Sequence, residues 1–160
     1  EVGVDGVVIG ALTQSGEVDM EACRKMIQAA GDMSVTFHRA FDVCAAPKEA
    51  LEQIISLGCD RLLTSGCQSS AEQGADFIAE LVEQAAGRII IMPGAGIRPS
   101  NIARIEKRTR AAEFHSTARK DSVDFAFRSA AVDFSAYPER EGVLPLSSAD
   151  VVLQLVNNVL

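Results

Sequence analysis

The chain has two histidines, and each follows a phenylalanine in a short run that alternates polar and apolar residues. The runs are Thr36-Phe37-His38-Arg39-Ala40-Phe41-Asp42 and Glu113-Phe114-His115-Ser116-Thr117. If each run is a strand, period-two alternation sets Thr36 and His38 opposite Val35 and Phe37, and sets Glu113, His115 and Thr117 opposite Phe114 and Ser116. The polar sets are then expected to point into a shared interior, with Asp42 and Glu113 near the imidazoles. Two inward histidines beside carboxylates suit a general acid and base, or metal ligation. The plain alternative is a hydrogen-bonded polar layer that fixes geometry.

Other chemistry-bearing residues also fall at the ends of apolar runs. Arg39 offers a guanidinium for an anion, and Thr64-Ser65-Gly66 supplies hydroxyls and a small residue beside Cys67. Gly94-Ala95-Gly96-Ile97 leads through Pro99, Ser100 and Asn101 into a helix start, where backbone N–H groups can approach phosphate or carboxylate. It is neither a full GxGxxG nor a P-loop, and a turn that needs glycine for backbone reasons explains it equally well. Thiols at Cys67 and Cys44, on the same expected rim as the histidines, suit a soft ion such as Cu(I). A lone cysteine is more often a small buried hydrophobe than a ligand, and Cys23 and Cys59 look structural. None of the four forms a CxxC pair.

These residues need a scaffold that repeats. Apolar, β-branched runs at 6–12, 34–40, 61–65, 88–93 and 112–117 start about every 24 to 28 residues, the length of one strand plus one crossover helix. Between them Met20, Cys23, Met26, Ile27 and Ala30 keep helical spacing behind Asp19, and Leu51, Ile54 and Ile55 do so between Pro47 and Gly58. Phe77, Ile78, Leu81, Val82 and Ala85 stripe a third helix closed by Gly87, Ile102 and Ile105 a shorter fourth. A terminal helix is expected over about 148–160, and an irregular surface loop over about 121–145. Strands apolar on both faces, such as Arg88 to Met92, belong in a parallel sheet covered by helices. The expected class is α/β, either a doubly wound sheet or a TIM barrel. In either fold functional groups gather at the C-terminal ends of the strands.

Composition narrows the partners. The chain has 160 residues, 48% of them hydrophobic, enough for one compact domain spanning 1–160. A net charge of −7 argues against nucleic acid and anionic membranes, which require clustered Lys and Arg. No apolar stretch reaches the roughly 20 residues of a membrane span, and Glu1-Val2-Gly3-Val4-Asp5 lacks the marks of a signal peptide. The expectation is a soluble, cytoplasmic protein, with a nuclear location open if the source is eukaryotic. The absence of an initial methionine suggests residues missing in front.

In order and spacing, Gly6-Val7-Val8-Ile9-Gly10-Ala11-Leu12-Thr13, Val35 to Asp42, Leu63-Thr64-Ser65-Gly66, Met92 to Ile97 and Glu113-Phe114-His115 resemble the CutC copper-homeostasis family. The resemblance extends to about Arg119 and loosens through Asp121 to Pro145. It implies a partial TIM (β/α)8 barrel holding strands four to eight, with the first three missing. It further implies a role in copper homeostasis, Cu(I) as the bound ion, and a dimer or tetramer. Cysteines proposed as copper ligands in animal members lie in the early strands, outside this chain. Three functions are therefore carried forward. The first is Cu(I) binding or trafficking, with Cys67 and Cys44 as candidate ligands. The second is a TIM-barrel enzyme for a small anionic or phosphorylated substrate, with His38, His115, Asp42 and Glu113 catalytic and Arg39, Thr64, Ser65, Gly66, Gly94 and Gly96 holding the anion. The third is a truncated product with little activity.

Overall fold

The computed structural model describes residues 3–122 and 144–159. The chain divides into two compact units, Glu1–Ser116 and Thr117–Leu160.

In the first unit four short strands form a parallel sheet whose order in space is their order in sequence: β1 (Gly6–Ile9), β2 (Ser34–Phe37), β3 (Arg61–Thr64) and β4 (Ile90–Pro93). Helices α1 (Met20–Ala30), α2 (Pro47–Ser56) and α3 (Ala75–Ala85) form the successive crossovers, and α4 (Ile102–Thr109) follows β4. Local signals explain the ends. The Asp19 carboxylate accepts from the Ala22 N–H at 2.9 Å and opens α1. Pro47 occupies the first turn of α2, where its missing N–H costs nothing.

Strand register sets up the core. Val7 pairs with Val35, Ile9 with Phe37, Phe37 with Leu62, and Leu62 with Ile91. Phe37 and Leu62 are fully buried, as are Leu51, Ile54, Ile78 and Leu81 from α2 and α3. Each such side chain contributes about 1.5–3 kcal/mol relative to exposure. The other sheet face carries Val8, Thr36, Leu63 and Met92. On it Val8 is 64% exposed and Ile90 36%.

The α/β class, the four helices and the parallel strands follow the sequence pattern, while the strand ends differ from it. The first strand stops at Ile9 because the chain turns so that Leu12 can pair with Val18 in an antiparallel bridge. The second stops at Phe37 because the His38 imidazole Nδ1 accepts the Ala40 N–H at 3.1 Å, capping a 3₁₀ helix over Arg39–Val43. The run at 112–117, expected as a strand, does not form one. Beside β4 the His115 N–H donates to the Pro93 carbonyl at 2.9 Å, the bond a further parallel strand would make there, but no strand forms along the run.

In the second unit β5 (Arg119–Ser122) pairs antiparallel with β6 (Leu144–Ser147), and α5 (Ala149–Asn157) follows. The irregular loop expected over about 121–145 thus has strand residues at both ends, and its interior, 123–143, lies outside the described residues. No described helix is long and apolar enough to cross a membrane.

Candidate functional site

The carboxyl ends of β2, β3 and β4 meet at a rim organised around Asp42. Its side chain is 7% exposed. One oxygen accepts from the Thr64 hydroxyl at 2.5 Å and the Cys67 N–H at 3.2 Å. The other accepts from Arg39 Nε at 2.7 Å and lies 2.9 Å from the Ser65 hydroxyl, while the Ser65 N–H reaches both at 3.1 Å. Burial pushes the Asp42 carboxyl upward, but the donors from Thr64, Arg39 and Ser65 together outweigh it and hold the group below its usual value. This carboxylate ties the 3₁₀ helix after β2 to the loop after β3.

That loop is clamped from the other side by a glycine contact. Gly66 takes φ 69°, and a Cβ there would overlap the backbone of Gly74. Cys67 is itself left-handed at φ 57°. All four cysteines are free thiols. Burial, then the charges of Asp42 and Cys44, push the Cys67 thiol up to about 11. Cys44 is raised by burial and by Asp42, and its sulfur lies 3.8 Å from the Ala40 carbonyl. Cys23, on α1, and Cys59, just before β3, are buried.

Arg39 gives its Nη2 to the Ser65 hydroxyl at 2.9 Å, and the side chain is 44% exposed. Its guanidinium is therefore fixed on one edge and open on the other. His38 lies over β1: a Cβ on Gly10 would come within 2.6 Å of Nδ1, so the residue facing it must be glycine. Because Nδ1 accepts the Ala40 N–H, the neutral ring carries its proton on Nε2. His115 is exposed and stands against Gly94, with its Cβ 3.4 Å from where a Gly94 Cβ would sit.

The expected constellation is thus spread along the rim. Asp42, Arg39, Thr64, Ser65, Gly66, Cys44 and Cys67 come together, and Gly94 and Gly96 follow on the next loop. His38 stands against Gly10, just past β1, and His115 against Gly94, just past β4. Glu113 is turned toward the start of β3, where it makes two hydrogen bonds with Arg61 at 2.6 and 3.1 Å. Arg61 in turn donates to Ser34 at 2.8 Å. Among the described residues no group of three His, Cys, Asp or Glu side chains is set to hold a metal ion.

Sequence reasoning missed two positioning residues. Gly10 makes room for the His38 ring, and Asn101, largely buried, accepts the Arg98 N–H at 2.8 Å and donates to the Gly96 carbonyl at 2.9 Å. The Asn at the start of a helix was the available signal, although its side chain holds the glycine loop instead of capping.

The sequence profile of the CutC family matches residues 1–120. A family protein CutC of Parabacteroides distasonis is 59% identical over 119 residues, covering 74% of this chain and 49% of that protein. One of Xylella fastidiosa strain Temecula1 is 51% identical over 158 residues, covering 97% of this chain and 57% of its own. The chain therefore spans about half the length of the curated relatives it matches. Among solved structures, that of Streptococcus agalactiae CutC, assigned there to copper homeostasis, superposes with a TM-score of 0.66 at 32% identity, over 69% of this chain and 55% of that one. A structure described as native KDPGal shares the fold, with a TM-score of 0.54 at 16% identity over 96% of this chain and 57% of that one. From the profile match and these identities, the chain belongs to the CutC family.

Proposed function

We propose that this chain is the C-terminal portion of a copper-homeostasis barrel, strands four to eight with the first three lying outside it, and that it binds Cu(I) in the cytosol as part of a homo-oligomer. Membership of the CutC family and the description of the Streptococcus agalactiae relative support the copper assignment. Within the chain the supporting observation is a pair of thiols organised by one carboxylate. Cys67 gives its N–H to Asp42, Cys44 follows Asp42 by two residues, and both are free thiols. Cu(I) is soft and prefers thiolate, and binding must displace the thiol protons. With Cys67 at about 11, uptake strengthens as pH rises. Cu(I) titration of the reduced chain against a competing chelator should show stoichiometric uptake that weakens about tenfold or more in Cys67→Ser. Uptake unchanged by removing both Cys44 and Cys67, or no uptake at all, sinks the reading.

A second reading is favoured by Arg39, whose guanidinium is fixed by Asp42 and Ser65 while its outer edge stays open. In that reading the rim binds a small anionic or phosphorylated substrate of an enzyme. Arg39 holds the anion, His38 donates from Nε2, and His115 acts on a separate part of the molecule.

A further inference from the structure

The loop between β4 and α4 has an uneven hydrogen-bond pattern. The Gly94 N–H is taken by the Thr64 carbonyl at 2.9 Å, and the Arg98 N–H by Asn101 at 2.8 Å. Between them the three successive N–H groups of Ala95, Gly96 and Ile97 have no acceptor among the described residues. The three carbonyls of the same residues are all occupied. Ala95 accepts from the Ala71 N–H at 3.0 Å, Gly96 from Asn101 Nδ2 at 2.9 Å, and Ile97 from the Ser116 hydroxyl at 2.9 Å. The acceptors of this tripeptide are pinned by three separate parts of the fold, and only its donors remain.

Gly96 is exposed, Ala95 half-buried and Ile97 buried. Main-chain N–H groups without an internal acceptor take one from outside the chain, water or a ligand. Here they are consecutive, and the loop cannot turn to satisfy them without losing its three anchors. Ala95 and Gly96 both hold positive φ, 76° and 79°, and Gly94 is packed so closely that a Cβ would meet Leu63 Cδ1 at 2.5 Å. The His115 ring borders the same loop. A fixed, donor-only set selects an oxyanion, and a phosphate monoester offers three terminal oxygens to such a set.

We propose that Ala95-Gly96-Ile97 is a main-chain oxyanion site that takes the phosphate of a small phosphorylated ligand. It rests on the second reading above, that the rim binds a small anion, and gives that anion a place and a chemical class.

Inorganic phosphate titrated into the 15N-labelled chain at constant ionic strength should shift the Ala95, Gly96 and Ile97 amide resonances together, saturably and more than any others. Gly96→Asp adds a carboxylate at a positive-φ position that Asp tolerates, with Ser70 Cβ at 3.6 Å leaving room. Phosphate affinity should fall by roughly tenfold or more, since like charges oppose binding. Gly96→Asn, neutral and of similar size, should keep affinity within about threefold. Equal loss in both variants overturns the site, as does a larger response to acetate than to phosphate. If the shifts instead surround Arg39 and vanish in Arg39→Ala, the rim still binds an anion and this site is wrong. No saturable shift anywhere removes both.

Discussion

Asp42 combines burial with full use of its lone pairs. Moving a proton through it would require breaking bonds to Thr64, Ser65, Cys67 or Arg39, so its geometry suits holding two loops together better than acid–base turnover. Its depressed folded-state value fixes the sign of its pH effect. The stability it contributes is fully present above the unfolded carboxyl value of 3.8 and is lost as pH falls below that toward the folded value. Asp42→Asn should lower unfolding free energy at pH 7 by about 2–4 kcal/mol, because several charged hydrogen bonds weaken at once. Urea titrations from pH 7 to pH 3 should show the wild-type advantage shrinking in the acid range. A constant gap between the two proteins throughout would mean that the carboxylate charge is not what holds the loops.

Loops, rather than strands, are the elements that create the rim, and they account for most of what the sequence left hidden. Helices behind Asp19 and Pro47 were legible because capping and apolar spacing act locally. The strands were legible as runs but not in their ends, since His38 stops β2 with a side-chain bond that no periodicity encodes. Likewise, alternation placed Glu113 and His115 on one face but could not reveal that Arg61 draws Glu113 toward the start of β3. The rim cluster of Arg39, Asp42, Thr64 and Ser65 was foreseen as residues, while its centre on Asp42 depends on contacts 22 to 25 positions apart. Two glycines separate backbone strain from steric overlap. Gly58, at φ 84° with open space around it, should cost about 1 kcal/mol as Gly58→Ala. Gly66→Ala adds an overlap with Gly74 and should cost about 3 kcal/mol or more, measured by the same denaturant series. Equal costs would mean that the Gly74 contact relaxes freely.

At the scale of the molecule, the helix side of the first unit's sheet is packed, and the other side leaves Val8 and Ile90 in water. Parallel sheets are normally covered on both faces, so the chain taken alone leaves an apolar surface through which copies of it can associate. Sedimentation should find the chain self-associated at micromolar concentration, and Val8→Lys should shift it toward the monomer with unchanged circular dichroism. A monomer at every concentration would argue against assembly through this face.

The order of the sheet also bears on how it is reached. Each of β1 to β4 lies beside the strand that follows it in the chain, with a single helix between. No strand has to wait for a distant segment before it can pair. Loop closure for each unit involves fewer than about thirty residues and grows only slowly with length. The sheet can therefore be extended one strand–helix unit at a time, in the direction of synthesis, and its growing edge is always the strand most recently made.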